Sequence, residues 1–321
     1  MSTTPPTEHY SQVLLSSAEY GYIEVLREIL ASGVKDTDRT GTGTISRPGV
    51  SIVQEAEESI IGMSPHFYTK YVHLPAIIHE LLWMISGDTN VKYLKDNNVN
   101  IWNEWADENG DLGPVYGKQW RNCDGIDQLQ KAIDLLRTDP SSRRIIVNSW
   151  NPRDLEDMAL TPCHCMFQFI SKPMDDNIKS KLLESYPEHE VAKAASKRFL
   201  HIEMTQRSGD MFLGVPFNIL FYFILMNLVA HITGHNPGQL RVNIGDAHIY
   251  LNHLDQVEEQ MDRLLSLNYD EINDDSLIIN SRFFIPNDCP AKEIGDFTYD
   301  MVRSFFGKYL HMGKISAPIS V

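Results

Sequence analysis

The sequence predicts an α/β protein, and three observations carry the prediction. Apolar runs of period two recur along the chain, as in Met166-Phe167-Gln168-Phe169-Ile170 and Phe199-Leu200-His201-Ile202-Glu203-Met204. Successive side chains of a strand face opposite sides, so such runs read as strands. Segments of helical apolar spacing lie between them, including His73–Met84, Ile126–Leu136 and the long apolar stretch Ile219–Thr233. The chain has 321 residues, 42% of them hydrophobic, which is enough for a sizeable core, and no linker divides it. We expect one domain over residues 11–321, with 1–10 a disordered polar tail.

The formal net charge of -15 disfavours bulk binding to nucleic acid or to an anionic membrane. An anionic substrate then requires a local arginine cluster. Four cysteines, Cys123, Cys163, Cys165 and Cys289, do not make a disulfide framework for a chain of this length. Free thiols in a reducing compartment fit better. Cys163, His164 and Cys165 lack a second ligand pair at structural-zinc spacing, so no metal is expected. No secretory leader opens the chain, and no apolar run is read as long enough to span a membrane. The expected location is the cytoplasm, or the host cytoplasm for a viral protein.

Taken in order, Val13, Leu14, Tyr22, Ile23, Val25, Leu26, Ile29 and Leu30 suit helical segments over residues 10–30, and Gly33 ends them. Asp38-Arg39-Thr40-Gly41-Thr42-Gly43-Thr44 follows. Glycines and small hydroxyls let a backbone approach an anion, and an arginine can grip phosphate as a fork. A plain turn with an exposed arginine has the same composition. Val50-Ser51-Ile52-Val53 reads as a strand, Glu55, Glu57 and Glu58 as a solvated edge, and Ser64-Pro65-His66 as a break. The helix His73–Met84 carries one carboxylate, Glu80, followed by Leu81-Leu82-Trp83. Buried in such company it would have a raised pKa and could relay protons. On the helix surface it would be an ordinary solvated charge.

Trp102 and Trp105 are either core or a cover for a flat heterocycle. The glycine-punctuated stretch 110–120 reads as a loop bearing Tyr116, a candidate acid–base hydroxyl. Asp139-Pro140-Ser141-Ser142 breaks the Ile126–Leu136 helix. Arg143-Arg144 then stands at the entrance of the strand Ile145-Ile146-Val147, as a phosphate grip or a solvated end.

Leu160-Thr161-Pro162-Cys163-His164 puts a thiol directly after a proline, at the mouth of a strand. A thiolate held there could attack an electron-poor carbon; a small buried hydrophobe is the other reading. Residues 171–198 are charged and helix-prone, a surface insert between two strands. The second strand runs into Gln206-Arg207-Ser208-Gly209-Asp210. Leu213–Asn218 reads as a loop opening the long apolar helix, so Asn218 is either its N-cap or a base-reading amide. His248 and Tyr250 lie two apart on a strand and face one side. The chain closes on the apolar Lys314-Ile315-Ser316-Ala317-Pro318-Ile319-Ser320-Val321.

Taken together and in this order, these segments resemble thymidylate synthase. The resemblance rests on Asp38–Thr44, Asn100-Ile101-Trp102 to Trp120, Ser142–Ile146, Leu160–His164, Gln206–Asp210, Gly214–Asn218 and Gly245–Tyr250. It implies a homodimer of α/β subunits, each built on a mixed, twisted sheet covered by helices, with no metal. It implies that Cys163 adds to C6 of the uracil ring of dUMP, with His164 in the catalytic set. Arg207 would bind the phosphate and favour the attacking thiolate. Arg39, Gln206, Arg207 and Ser208 would hold the nucleotide together with Arg143 and Arg144 of the partner subunit. Asn218 would read uracil, and His248 and Tyr250 would hold the ribose hydroxyl. Glu80 would relay protons to O4, and Tyr116 would help remove the C5 proton. The cosubstrate implied is 5,10-methylenetetrahydrofolate. Asp210 would bind its pterin; Lys70, Ile101, Trp102, Trp105, Leu213, Gly214 and Phe217 would line its site; Val321 would close over it.

The family usually has Phe-Pro-Leu, a short spacer and Thr-Thr-Lys-Arg ahead of the helix carrying the glutamate. Here Ser64-Pro65-His66-Phe67-Tyr68-Thr69-Lys70-Tyr71 stands there, with Lys70 kept and the arginine replaced by Tyr71. The strand after Thr44 is altered to Ile45-Ser46-Arg47-Pro48-Gly49, and the 171–198 insert is extra. These departures fall nearer the folate side than the nucleotide side. The leading reading is methylation of dUMP to dTMP. A hydroxymethyltransferase on dUMP, in which water completes the product, needs the same residues. An inactive nucleotide-binding homologue is the reading from a different class.

Overall fold

Alternating burial marks the strands, and apolar stripes mark the helices packed on them. The computed structural model describes residues 15–60, 62–266 and 282–320. In chain order these form α1 (Ser17–Ser32), β1 (Val34–Asp36), β2 (Thr44–Gln54), α2 (Ala56–Ile60), α3 (Leu74–Ser86) and α4 (Lys92–Asp96). Then come α5 (Tyr116–Asn122), α6 (Gln128–Thr138), β3 (Ile146–Asn148), β4 (His164–Lys172), α7 (Asp176–Ser185) and α8 (Glu188–Ala195). The chain continues through β5 (Phe199–Asp210), α9 (Gly214–Thr233), β6 (Asn236–Tyr250), α10 (Leu254–Leu265) and α11 (Tyr299–Ser304). The expected tail at 1–10, the positions Val13 and Leu14, and Val321 lie outside the described residues.

The six strands form one mixed sheet in the order β1-β2-β6-β5-β4-β3. Only β5 and β6 run parallel, which requires a crossover, and α9 supplies it. All other neighbours are antiparallel. In β5 the residues Phe199, Leu200, Ile202, Met204 and Gln206 are buried under the helices, while Glu203 and Thr205 face the other way. That second face is polar, with Arg241 Nε donating to Glu203 Oε1 at 3.2 Å and Ser51 Oγ to Asn243 Oδ1 at 2.6 Å.

Helix α9 has 20 residues at a mean hydropathy of 1.8, so by length and composition it could cross a membrane. This corrects the expectation that no apolar run is long enough. In the structure 83% of its apolar window is buried against the sheet, α3 and α6, the setting of a core helix. It also begins earlier than expected. Leu213 is the N-cap and Gly214 the first helical residue, so Gly214–Asn218 is helix and not loop.

Other expectations shift in smaller ways. The altered stretch Ile45–Gly49 remains strand, and β2 pairs with β6 from Thr44↔Tyr250 to Gln54↔Leu240. Two acids of the expected solvated edge are partnered: Glu58 accepts from the Ser17 backbone and hydroxyl at 3.1 and 2.7 Å, and Glu55 accepts from Gln239 Nε2 at 3.0 Å. The insert forms the helical pair α7 and α8, whose Ile178, Leu182 and Val191 make a small core with Ala56. Gly33 ends α1 without positive φ. A Cβ there would sit 2.5 Å from Ile29 O and 2.6 Å from Ile45 Cγ2, so close approach selects the glycine.

Candidate active site

Sheet register assembles the thiol and the arginine. His164 pairs with Gln206 across β4 and β5, and Arg207 N donates to Cys163 O at 2.9 Å. Two residues far apart in sequence thus become neighbours. The Arg207 guanidinium is fixed by Nε to Pro162 O at 2.9 Å and Nη2 to Thr161 Oγ1 at 3.0 Å, and Nη2 stands 3.7 Å from Cys163 Sγ.

Burial raises the Cys163 thiol pKa; Arg207 and, more weakly, Arg39 pull it down, and Cys165 pushes it up. The net direction is upward. Arg207 acts in the expected sense, but desolvation outweighs it, so the resting group is the thiol.

Tyr116 is not in a loop but is the first residue of α5. Its hydroxyl accepts from the backbone N–H of Cys163 at 2.8 Å and of His164 at 3.4 Å. Burial, then the nearby Cys163, holds its pKa well above the ordinary tyrosine value, so it stays a neutral hydroxyl. His164 is buried and its pKa falls to about 4 through desolvation, against a hydrogen bond with Asn218. It is a neutral imidazole near pH 7, with Nδ1 3.4 Å from the Tyr222 hydroxyl.

Asn218 lies inside α9, not at its cap, and only 8% of it is exposed. Its Nδ2 donates to Gln206 Oε1 at 3.2 Å, and Gln206 Nε2 donates in turn to Ser208 O at 2.8 Å. The capping alternative is thereby excluded. Glu80 is buried as well. Trp102 Nε1 donates to Glu80 Oε1 at 2.7 Å, and burial raises the carboxyl to about 7 against that bond. The indole of Trp102 therefore belongs to the core and also orients the glutamate. Trp105 packs on it edge-to-face at 6.0 Å and is half-buried.

Arg39 sits on a loop wound around Asp38, whose carboxylate accepts from Thr40 N, Thr40 Oγ1 and Gly43 N at 3.0, 2.6 and 2.8 Å. Gly41 and Gly43 take φ of +74° and +79°, a region that favours glycine. The Arg39 side chain is exposed and makes no ion pair or hydrogen bond among the described residues. Arg143 and Arg144 are exposed before β3, and among the described residues no hydrogen bond or ion pair joins them to Cys163. His248 and Tyr250 face one side as expected, their rings 5.0 Å apart. His248 pairs with Asp210 across β5 and β6.

Asp210 Oδ1 accepts from the backbone N–H of Phe212 at 2.9 Å and of Leu213 at 3.2 Å. Burial pushes this carboxyl up, but His253, the Leu213 N–H and His248 outweigh it, and the net shift is downward. Leu213, Gly214 and Phe217 follow it as a half-exposed ledge, and Ile101 is half-buried. Lys70 does not join this ledge. It is 5% exposed, its Nζ donates to Phe212 O and lies 3.7 Å from the Phe212 ring centroid, and burial lowers its pKa to about 7 against the pull of Asp210 and Glu19.

Sequence reasoning missed three residues. Glu19 is fully buried and holds the segment before Lys70, accepting from Tyr68 N, Thr69 N and Thr69 Oγ1 at 2.8, 2.9 and 2.7 Å. An acid within the apolar stripe of α1 was the available signal. Tyr222 and His253, both buried, had no local signal beyond their place in or beside apolar runs.

Contacts link Cys163 to Arg207 and Tyr116, His164 to Asn218, and, through Trp102, Glu80 to Tyr116. The family model described as thymidylate synthase matches residues 20–321, nearly the whole chain, and the protein belongs to the thymidylate synthase family.

Proposed function

We propose that this protein is a thymidylate synthase that converts dUMP to dTMP through a covalent Cys163–C6 adduct, with 5,10-methylenetetrahydrofolate leaving as dihydrofolate. The observation that carries the reading is Cys163 Sγ at 3.7 Å from an Arg207 guanidinium held through Nε by Pro162 and through Nη2 by Thr161. A nucleophile beside a fixed cation suits a substrate that is a dianion and an acceptor of sulfur addition.

Arg39 and Arg207 take the phosphate, with Ser208 beside Arg207. Arg143 and Arg144 reach it from a second copy of the chain, a reading supported by their exposure and by the polar sheet face that a second copy would cover. Asn218 donates to O4 of the base and accepts from N3–H, while Gln206 and neutral His164 fix its amide plane. The Cys163 thiol gives its proton to solvent in the cleft, Arg207 stabilises the thiolate, and sulfur then bonds to C6 as the C5–C6 electron pair moves toward O4. Charge that develops at O4 is met by a proton from Glu80, whose pKa of about 7 suits donation and recovery near neutrality. The Tyr116 hydroxyl, held as a neutral donor, orders the water that takes the C5 proton. His248 and Tyr250 hold the ribose.

The residues on the folate side fit that group: an ionised carboxylate at Asp210 suits the amino and N–H edge of a pterin, and Trp105, Leu213 and Phe217 present apolar surface, with Trp102 buried behind Trp105. Bound there, the folate supplies both the one-carbon unit and the hydride. Asp210 orients it and the apolar ledge excludes water.

Product mass analysis after incubation with dUMP and 5,10-methylenetetrahydrofolate tests the reading. A methyl product supports it. A product heavier by one oxygen would make the protein a deoxyuridylate hydroxymethyltransferase, the reading that the altered 45–71 stretch keeps open. Absence of product with retained dUMP binding would make it a nucleotide-binding homologue.

A further inference from the structure

We propose that His253 is a positioning residue that ties the seating of the C-terminal segment to the carboxylate of Asp210. The proposal rests on the reading of Asp210 as the folate contact. His253 ends the short turn Leu251–His253 that follows β6, and it is fully buried. Its two ring nitrogens face two different parts of the site. Nε2 is 2.7 Å from the carbonyl of Pro318, in the C-terminal segment. Nδ1 is 3.7 Å from Asp210 Oδ1 and has no hydrogen-bond partner among the described residues. The ring is flanked by Phe212 and Tyr250, with centroids at 5.6 and 5.5 Å, which hold its orientation.

Donor and acceptor inventory fixes the chemistry. A carbonyl only accepts, so Nε2 carries a hydrogen toward Pro318. The remaining nitrogen then meets a carboxylate. A lone pair there would oppose the carboxylate, whereas an N–H would be attracted to it. The imidazolium therefore satisfies both neighbours, and the shift agrees: burial lowers the pKa of His253, but Asp210 and the Pro318 carbonyl raise it more, with a net rise.

Among the described residues, Asp210 engages the protein through Oδ1. Oδ2 accepts no hydrogen bond from the described residues, and the side chain remains 21% exposed. A ligand that takes Oδ2 stiffens the carboxylate, which steadies His253, which steadies the carbonyl of Pro318. Coupling of this kind is reciprocal, so a seated tail favours the ligand by the same factor. The tail has a second tie to the nucleotide side: Ser320 Oγ contacts Thr42 Oγ1 at 3.2 Å and Asn252 Nδ2 at 3.3 Å, and Thr42 belongs to the Arg39 loop. Replacing His253 releases the folate-side tie alone.

The test compares the parent with His253→Phe and His253→Gln. Hydrogen–deuterium exchange of residues 314–320, without ligand, should quicken by about tenfold in His253→Phe, while exchange across β4 stays as in the parent. His253→Gln keeps a donor able to reach Pro318 and should quicken the tail by less than about threefold. The KM for 5,10-methylenetetrahydrofolate should rise by about tenfold in His253→Phe, with the KM for dUMP within about twofold of the parent. Unchanged tail exchange in His253→Phe, or both KM values rising together, overturns the proposal. If the phenylalanine variant does not fold, His253→Asn replaces it: its short amide cannot reach Pro318, and the same loosening is required. If the parent makes no product from dUMP, the function proposed above fails, while the exchange measurement still decides whether His253 holds the tail.

Discussion

The hydroxyl of Tyr116 accepts the backbone N–H of Cys163 at 2.8 Å. One buried side chain at the start of α5 therefore fixes the main chain that carries the thiol. Because Tyr116 stays protonated, its own hydrogen remains available to donate into the cleft. The same hydroxyl also meets the N–H of His164, so two donors at the mouth of β4 converge on one oxygen.

Cys163→Ala removes sulfur and leaves this frame in place. Turnover should be abolished, and dUMP binding should persist, since Arg39, Arg207 and Asn218 are untouched. Denaturing electrophoresis after 5-fluoro-dUMP and folate should show a covalent complex for the parent and none for the variant. Substantial activity in the alanine variant would reject Cys163 as the nucleophile.

The exposed Arg143 and Arg144 bear on assembly. Arg143→Ala and Cys163→Ala proteins, each weak or inactive alone, should partly recover activity once mixed and allowed to exchange subunits. A mixed dimer would then have one site with both a thiol and a partner arginine. Recovery near a quarter of parental activity is expected for about equal, random exchange, because one site in four pairs two intact contributors. No recovery with exchange verified would mean that Arg143 acts within its own subunit or not at all.

Glu80 predicts a pH dependence of stability with a definite sign. Its folded pKa, about 7, is above the ordinary 4.5 because burial penalises the carboxylate. Below 4.5 both folded and unfolded chains hold the proton. As pH rises from 4.5 to about 7 the unfolded chain releases it first, so folding loses stability across that window. The loss amounts to at most about 3.5 kcal/mol, at ~1.4 kcal/mol per pKa unit. Glu80→Gln keeps an acceptor for Trp102 Nε1 and removes the titration. Denaturant midpoints should therefore show the variant gaining on the parent from pH 4.5 to pH 8, while its turnover falls by about 10²-fold or more. A stability difference that does not change with pH would show that Glu80 titrates normally in the fold.

Asn218→Asp should shift base preference from uracil toward cytosine. Uracil offers N3–H and an accepting O4; cytosine offers an accepting N3 and a donating 4-amino group. The amide matches the first, and a carboxylate that accepts from the amino group and, when protonated, donates to N3 matches the second. Against uracil the carboxylate would set acceptor against acceptor, costing ~1–3 kcal/mol, or about one to two orders of magnitude in selectivity. Relative kcat/KM on dUMP and dCMP measures it. An unchanged ratio would remove Asn218 from base recognition.

The sequence by itself determined what short-range pattern encodes. Period-two runs located the cores of β4 and β5, apolar spacing located α3 and α6, and Glu80 stood out because a lone acid interrupted an apolar helix. Motif order carried the family. The starts of elements were less legible. Gly214-Val215-Pro216 looked like loop, yet α9 begins there, since the first-turn N–H groups of a helix lack partners anyway and proline loses nothing in that position. That one shift moved Asn218 from a cap into the buried wall of the site.

Tertiary structure decided everything that joins distant segments. The Cys163–Arg207 pair depends on the register of β4 against β5, and the Tyr116–Cys163 bond on where α5 docks. The contact of His253 with Pro318 spans the turn after β6 and the C-terminal segment. Lys70, placed in the folate site by the resemblance, is turned inward onto the Phe212 carbonyl and ring. The charge state of Cys163 likewise followed from a sum that no local motif contains, with burial outweighing two arginines. Sequence pattern reports which side chains prefer water or oil along one element, whereas desolvation and charge act through space, among residues that only the folded chain makes neighbours.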